Sequence, residues 1–132
     1  MSEPFTALRV LLVTPDPALR SLLRKVLEPA TFAEATEADA ALHELRTGSW
    51  DVVLLDLRLP HTNGLVTLRW LKQVRPEVPV VVVTGLSPNP YAGAAERAGA
   101  SGFIPREQAR ERVGGFVSAL MAKRARKVVQ GW

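Results

Sequence analysis

The chain has 132 residues, 47% of them hydrophobic, with 17 lysines and arginines, 13 acids and no cysteine. One ordinary domain with a real core is expected, and disulfides, thiolate metal sites and cysteine nucleophiles are excluded. The formal charge of +4 sits at one end: residues 1–104 carry 10 basic and 11 acidic side chains, whereas Pro105–Trp132 carries Arg106, Arg110, Arg112, Lys123, Arg124, Arg126 and Lys127 against Glu107 and Glu111.

The opening "MSEPFTALR" lacks the basic-then-apolar pattern of a secretory signal. It leads into "RVLLV" (Arg9–Val13), a nearly continuous aliphatic run of the kind that marks a strand covered on both faces. Pro17–Leu27 follows as a helix, with Leu19, Leu22, Leu23, Val26 and Leu27 on one stripe. "TFAEAT" (Thr31–Thr36) alternates more, which suits an edge strand. Ala38–Arg46 is a second helix, carrying Ala41, Leu42 and Leu45 inward. "VVLLD" (Val52–Asp56) is again a buried strand, and Leu65–Val74 a helix with Leu65, Leu68, Leu71 and Val74 in register. "VPVVVVT" (Val78–Thr84) is the most apolar strand. The alanine-rich helix Pro90–Ala98 is weakened by Gly93, by about 1 kcal/mol relative to alanine. "SGFIP" (Ser101–Pro105) is a short fifth strand, and Arg106 to about Val128 is the last helix, with Val113, Phe116, Val117, Leu120 and Met121 inward. Pro29, Gly48, Pro60, Gly64, Pro76, Pro79 and Gly99 punctuate the joins. Strand and helix alternating five times predict an α/β fold: a doubly wound, five-stranded parallel sheet with helices on both faces. No stretch approaches the roughly 18 to 20 apolar residues of a membrane span, so a cytoplasmic protein without membrane contact is expected.

In such a sheet, chemistry gathers at the carboxyl ends of the strands. Here those ends are Thr14–Asp16, Asp56, Thr84 and Pro105–Arg106. An aspartate closing an aliphatic strand is unusual, because burying a carboxylate costs free energy unless something pairs with it. Asp56 therefore either caps the turn before "LPHTNG" or carries function. Asp16, between Pro15 and Pro17, reads as a helix N-cap with proline at the first helical position. The other reading is a metal ligand displaced by one residue. A small cofactor-binding module is disfavoured, since "VTPDPALR" places two prolines where a phosphate would need free N–H groups.

Taken together, "DVVLLDLRLPHTNGL", "VPVVVVTG" and "AGASGFIPR" resemble the receiver domain of two-component response regulators, from about Arg9 to Leu120. The resemblance implies a flavodoxin-like receiver domain at residues 1–122, with 123–132 a basic tail or the end of the last helix. It implies that Asp56 is the phosphoacceptor position, that Thr84 and Arg106 are the phosphate-contact positions, and that Phe103 is the switch aromatic. The Arg58 carbonyl falls where it would ligate Mg²⁺, and Pro60 and Gly64 shape the loop after Asp56. Two adjacent acids hold Mg²⁺ in that family, and their positions here are Thr14 and Pro15, with Asp16 next. The family's lysine after the fifth strand is Arg106 here.

These departures set the functional expectation. The chain is expected to be an atypical receiver in phosphorelay signal transduction, not an enzyme, with no metal or other cofactor. It is expected to act by contact with a protein partner: a histidine kinase, an output domain or regulator, or a second copy of itself. The contact face is expected between Pro90 and Leu120, around Tyr91, Phe103, Arg110 and Arg112. Nucleic acid is not expected as a partner, although "AKRARKVVQGW" reads either as a solvated helix end or as a phosphate-contacting patch. The alternative function is a working phosphoacceptor, labelled on Asp56 by a histidine kinase, with Mg²⁺ held in an unusual way. Arg106 either docks on Asp56 through its planar guanidinium or points into solvent.

Overall fold

Aliphatic runs with no polar interruption must be covered on both faces, and three of them form the centre of a sheet. The computed structural model describes the backbone of residues 5–130 and the side chains of residues 5–125. Five parallel strands lie in the order β2-β1-β3-β4-β5: β1 Arg9–Val13, β2 Thr31–Ala35, β3 Val52–Leu55, β4 Val80–Thr84 and β5 Gly102–Pro105. The helices between them are α1 Pro17–Val26, α2 Ala38–Thr47, α3 Gly64–Val74, α4 Pro88–Arg97 and α5 Ala109–Gln130. The strand with the alternating pattern, β2, is indeed at an edge, and β5 forms the other edge.

Successive side chains of a strand point to opposite faces, and this splits each valine-rich run between two cores. Leu11, Val13, Val53, Leu55, Val80 and Val82 face the side packed by α2, α3 and α4. Val10, Leu12, Val52, Leu54, Val81 and Val83 face the side packed by α1 and α5. Full burial of a leucine or valine side chain is worth about 1.5–3 kcal/mol, so these runs dominate the stabilisation. The helical stripes land as the spacing predicts: Leu19 and Leu23 from α1, Leu27 at its C-cap, and Val113 and Val117 from α5 are buried in the second core.

Several boundaries differ from the periodic reading, each for a local reason. β4 begins at Val80, because Pro79 cannot donate to the ladder and the Val78 N–H turns back to the Arg75 carbonyl at 3.1 Å. Helical geometry in α4 is broken at Asn89 (φ −104°, ψ 117°), the residue before Pro90, where the proline ring disfavours the helical region. Arg106–Gln108 form a 3₁₀ turn, so α5 proper starts at Ala109. The helical backbone of α5 runs on to Gln130, through all of the basic positions Lys123, Arg124, Arg126 and Lys127. The side chains of Arg126 and Lys127, and Trp132, lie outside the described residues. Among the described residues, no helix is long and apolar enough to cross a membrane.

Candidate functional site

Crossovers leave the central strands in opposite directions between β1 and β3, and the cleft of a doubly wound sheet opens at that reversal. Asp56 stands there, one residue past β3, with its N–H donating to the Val13 carbonyl at 2.8 Å. It is buried, with 6% of its surface exposed. A carboxylate in that position needs hydrogen bonds, and it has three. The Thr84 hydroxyl, at the end of β4, donates to Oδ1 at 2.9 Å. The Arg58 N–H donates to the same oxygen at 3.0 Å. The Thr14 hydroxyl, just past β1, donates to Oδ2 at 2.9 Å. All three donors are uncharged. Both threonines are buried, and each hydroxyl also accepts a backbone N–H: Thr14 from Asp16 at 3.1 Å, Thr84 from Leu86 at 3.4 Å.

The β1–α1 turn is held just as firmly. The Thr14 N–H donates to the Ala35 carbonyl, and the Arg20 guanidinium donates to the Thr14 carbonyl at 2.9 Å. Asp16 is the N-cap of α1: its Oδ1 accepts from the Ala18 N–H at 2.9 Å and from the Leu19 N–H at 3.4 Å, with Pro17 in the first turn. Its other oxygen, Oδ2, pairs with the Arg106 guanidinium. This corrects both expectations for Arg106, which neither docks on Asp56 nor points free into solvent. The reason is geometric and electrostatic. Asp56 is recessed and already occupied by three donors, whereas Asp16 presents a half-exposed carboxylate across the mouth of the cleft.

Arg106 also lowers the Asp16 pKa, chiefly through its hydrogen bond, helped by the Ala18 and Leu19 N–H groups and opposed by partial burial. The folded protein thus holds this carboxyl ionised to lower pH than the unfolded chain does. Its contribution to stability is present above the ordinary value of 3.8 and is lost as pH falls through the lowered folded value. Asp16→Asn keeps a good N-cap but removes the charge. The stability difference between wild type and Asp16→Asn, read from urea midpoints, should be largest at neutral pH and shrink steadily as pH falls below the ordinary carboxyl value of 3.8. A difference that stays constant across that range would show that the ion pair contributes nothing.

The remaining expected residues fall as follows. Arg58 is exposed, and its guanidinium lies over Gly85. Pro15, Asp16, Asp56, Arg58, Gly85 and Arg106 line one small open cleft of ≈ 220 Å³. Phe103 is apart from it, half-buried on β5 and packed against the core under α4. Pro60 and Gly64 bracket the loop after Asp56, and His61 within it adopts φ 65°. Two participants were not foreseen: the Thr14 hydroxyl as a direct partner of Asp56, and Asp16 as the partner of Arg106. The available signal for Thr14 was a hydroxyl residue closing an aliphatic strand beside another that ends in aspartate.

A family model described as the response regulator receiver domain matches residues 10–115. The chain is 38% identical over 104 residues to the C4-dicarboxylate transport transcriptional regulatory protein DctD of Pseudomonas aeruginosa, an overlap covering 76% of this chain and 22% of that protein. Among solved structures it is similar to a two-component response regulator of the LuxR family from Aurantimonas (27% identity, TM-score 0.81, 89% of this chain and 86% of that one). It is also similar to NtrX from Brucella abortus (28% identity, TM-score 0.81, 96% of this chain and 30% of that one). The chain spans between 22% and 50% of the length of the curated relatives it matches first. With the 2-1-3-4-5 sheet, Asp56 past β3 and the match over residues 10–115, the chain belongs to the receiver domain family of two-component response regulators.

Proposed function

We propose that this receiver domain signals by protein–protein contact without being phosphorylated on Asp56. The observation that carries this reading is that the buried Asp56 carboxylate is held by three uncharged donors, from Thr14, Arg58 and Thr84, and by no cation among the described residues. Phosphoryl transfer to a carboxylate depends on positioning and on neutralising charge at the transferring group. The donor set here does not suit a cation for that role. Mg²⁺ requires near-octahedral oxygen ligands, including one or two carboxylates. Beside Asp56 stand a threonine whose hydroxyl is already donating and a proline with no side-chain oxygen, while the Asp16 carboxylate is committed to Arg106 and the α1 N-terminus. Arg106, at the lysine position, is drawn to Asp16 rather than toward an incoming phosphoryl group.

The contact face proposed is the one around α4, β5 and the start of α5. β5 is an edge strand, and a shallow groove beside it is lined by Ala92, Glu96 and Phe103. Tyr91 is half-buried, while Arg110 and Arg112 are exposed and offer positive charge to an acidic partner. The partner is an output domain, a kinase or a second copy of the chain. A phosphoacceptor role is the second reading, favoured by the hydrogen bond between Thr84 and Asp56 at the floor of an open cleft.

One experiment separates the two. Self-association, measured by sedimentation, or binding to a captured partner should be the same for wild type and Asp56→Asn. Charge reversal at Arg110 or Arg112 should weaken it severalfold, because rim charges steer association. If acetyl phosphate or a kinase labels Asp56 within minutes and that labelling changes binding, the phosphoacceptor reading replaces the first.

A further inference from the structure

A second cavity lies at the other end of the sheet, against the residues that lead into β4 and β5. It measures ≈ 440 Å³ and is walled by the end of α3, Pro76 and Pro79 before β4, Ser101 before β5, and the second half of α5. Three cations reach it, Lys72, Lys123 and Arg124, against one acid, Glu77. We propose that this cavity binds a small organic anion of the phosphorylated-nucleoside class. Its phosphate would sit between Lys72, Lys123 and Arg124, and its body against Leu120 and the two prolines.

Two of the three cations are preorganised. The Lys72 ammonium donates to the Pro76 and Val78 carbonyls, each at 2.9 Å, which fixes it at the cavity wall and leaves the third of its three N–H groups for a ligand. Arg124 donates one N–H to the Asp51 carbonyl at 2.7 Å and keeps its remaining donors. Lys123 is exposed and forms no ion pair among the described residues. Groups already held in place lose little freedom on binding, which favours affinity. Burial, first, and the nearby Arg124 lower the Lys72 pKa while Glu77 opposes them, so the charged ammonium gains from a further negative charge. A phosphate supplies that charge. The volume falls in the range of about 300–1,000 Å³ typical of small-molecule sites, and the apolar wall suits a nucleoside better than a bare ion. The proposal does not rest on the reading of Asp56, which lies at the opposite strand ends.

The test is a titration with adenosine diphosphate, without divalent cations, followed by the amide shifts of Lys72, Val78, Ser101 and Arg124. Saturation with a Kd below about 1 mM is expected, with weaker binding of inorganic phosphate. Lys123→Glu, on the exposed rim, should weaken binding roughly tenfold by removing a charge-assisted contact. Lys25→Glu, an exposed residue of α1 outside the cavity lining, makes the same charge change and should alter it less than about twofold. Shifts that stay linear to about 10 mM, or equal losses in the two variants, would overturn the proposal. So would an oligoglutamate peptide that saturates these amides where the nucleotide does not, since the cavity would then be a protein-docking site.

Discussion

Replacing Thr14 and Pro15 together with aspartate is expected to make the thermal stability of this domain depend on Mg²⁺. Thr14 is buried, and its hydroxyl lies 2.9 Å from Asp56 Oδ2. An aspartate there would bring a second carboxylate against the first. Two like charges about 4 Å apart repel by up to about 4 kcal/mol at an effective dielectric of about 20, so the variant should be less stable than wild type in chelator. With three carboxylates converging, the site gains the ligand type that Mg²⁺ selects. Binding at about 100 times the Kd returns about 2.7 kcal/mol, or roughly 10 °C in Tm for a domain of this size. Wild type should move by less than about 1 °C over the same additions. A rise in wild-type Tm equal to that of the variant would show that Thr14 and Pro15 do not keep the cation out, and the proposed function would lose its main support.

Gly64→Ala should be among the most damaging single substitutions. Gly64 opens α3 directly beneath the loop that follows Asp56. A Cβ built there would lie 2.2 Å from the Leu57 carbonyl oxygen and 2.4 Å from the Leu57 Cα. Both are backbone atoms, so no side-chain rotation relieves the overlap. The loop is pinned on its other side by Leu57 and Leu59, which are buried in the core, and it carries the Arg58 N–H that donates to Asp56. The cost should reach about 3 kcal/mol, the upper end for overpacking, and lower Tm by roughly 10 °C or more. Thermal unfolding of the purified variant measures it. A loss under about 2 °C would mean that the loop shifts away freely, and that the Arg58 amide is not firmly held against Asp56.

Much of this molecule could be read in one dimension. The order of the five strands and five helices followed from the switch between continuous valine-rich runs and 3.6-residue stripes, because burial on both faces or on one stripe leaves a local periodic trace. The N-cap role of Asp16 was equally local, since a cap bonds to amides two and three residues away. Asp56 and Thr84 stood out because a carboxylate and a hydroxyl close aliphatic strands that the fold brings side by side. What tertiary structure decided was who pairs with whom. Asp16 and Arg106 are 90 residues apart in the chain, Thr14 and Asp56 42, and Lys72 and Arg124 line one cavity only because α3 and α5, on opposite faces of the sheet, both reach the same end of it. Such pairings depend on strand order and on the reach of side chains across a cleft. A guanidinium goes to the more accessible carboxylate, and here that was Asp16, because Asp56 is buried and already held by three neutral donors.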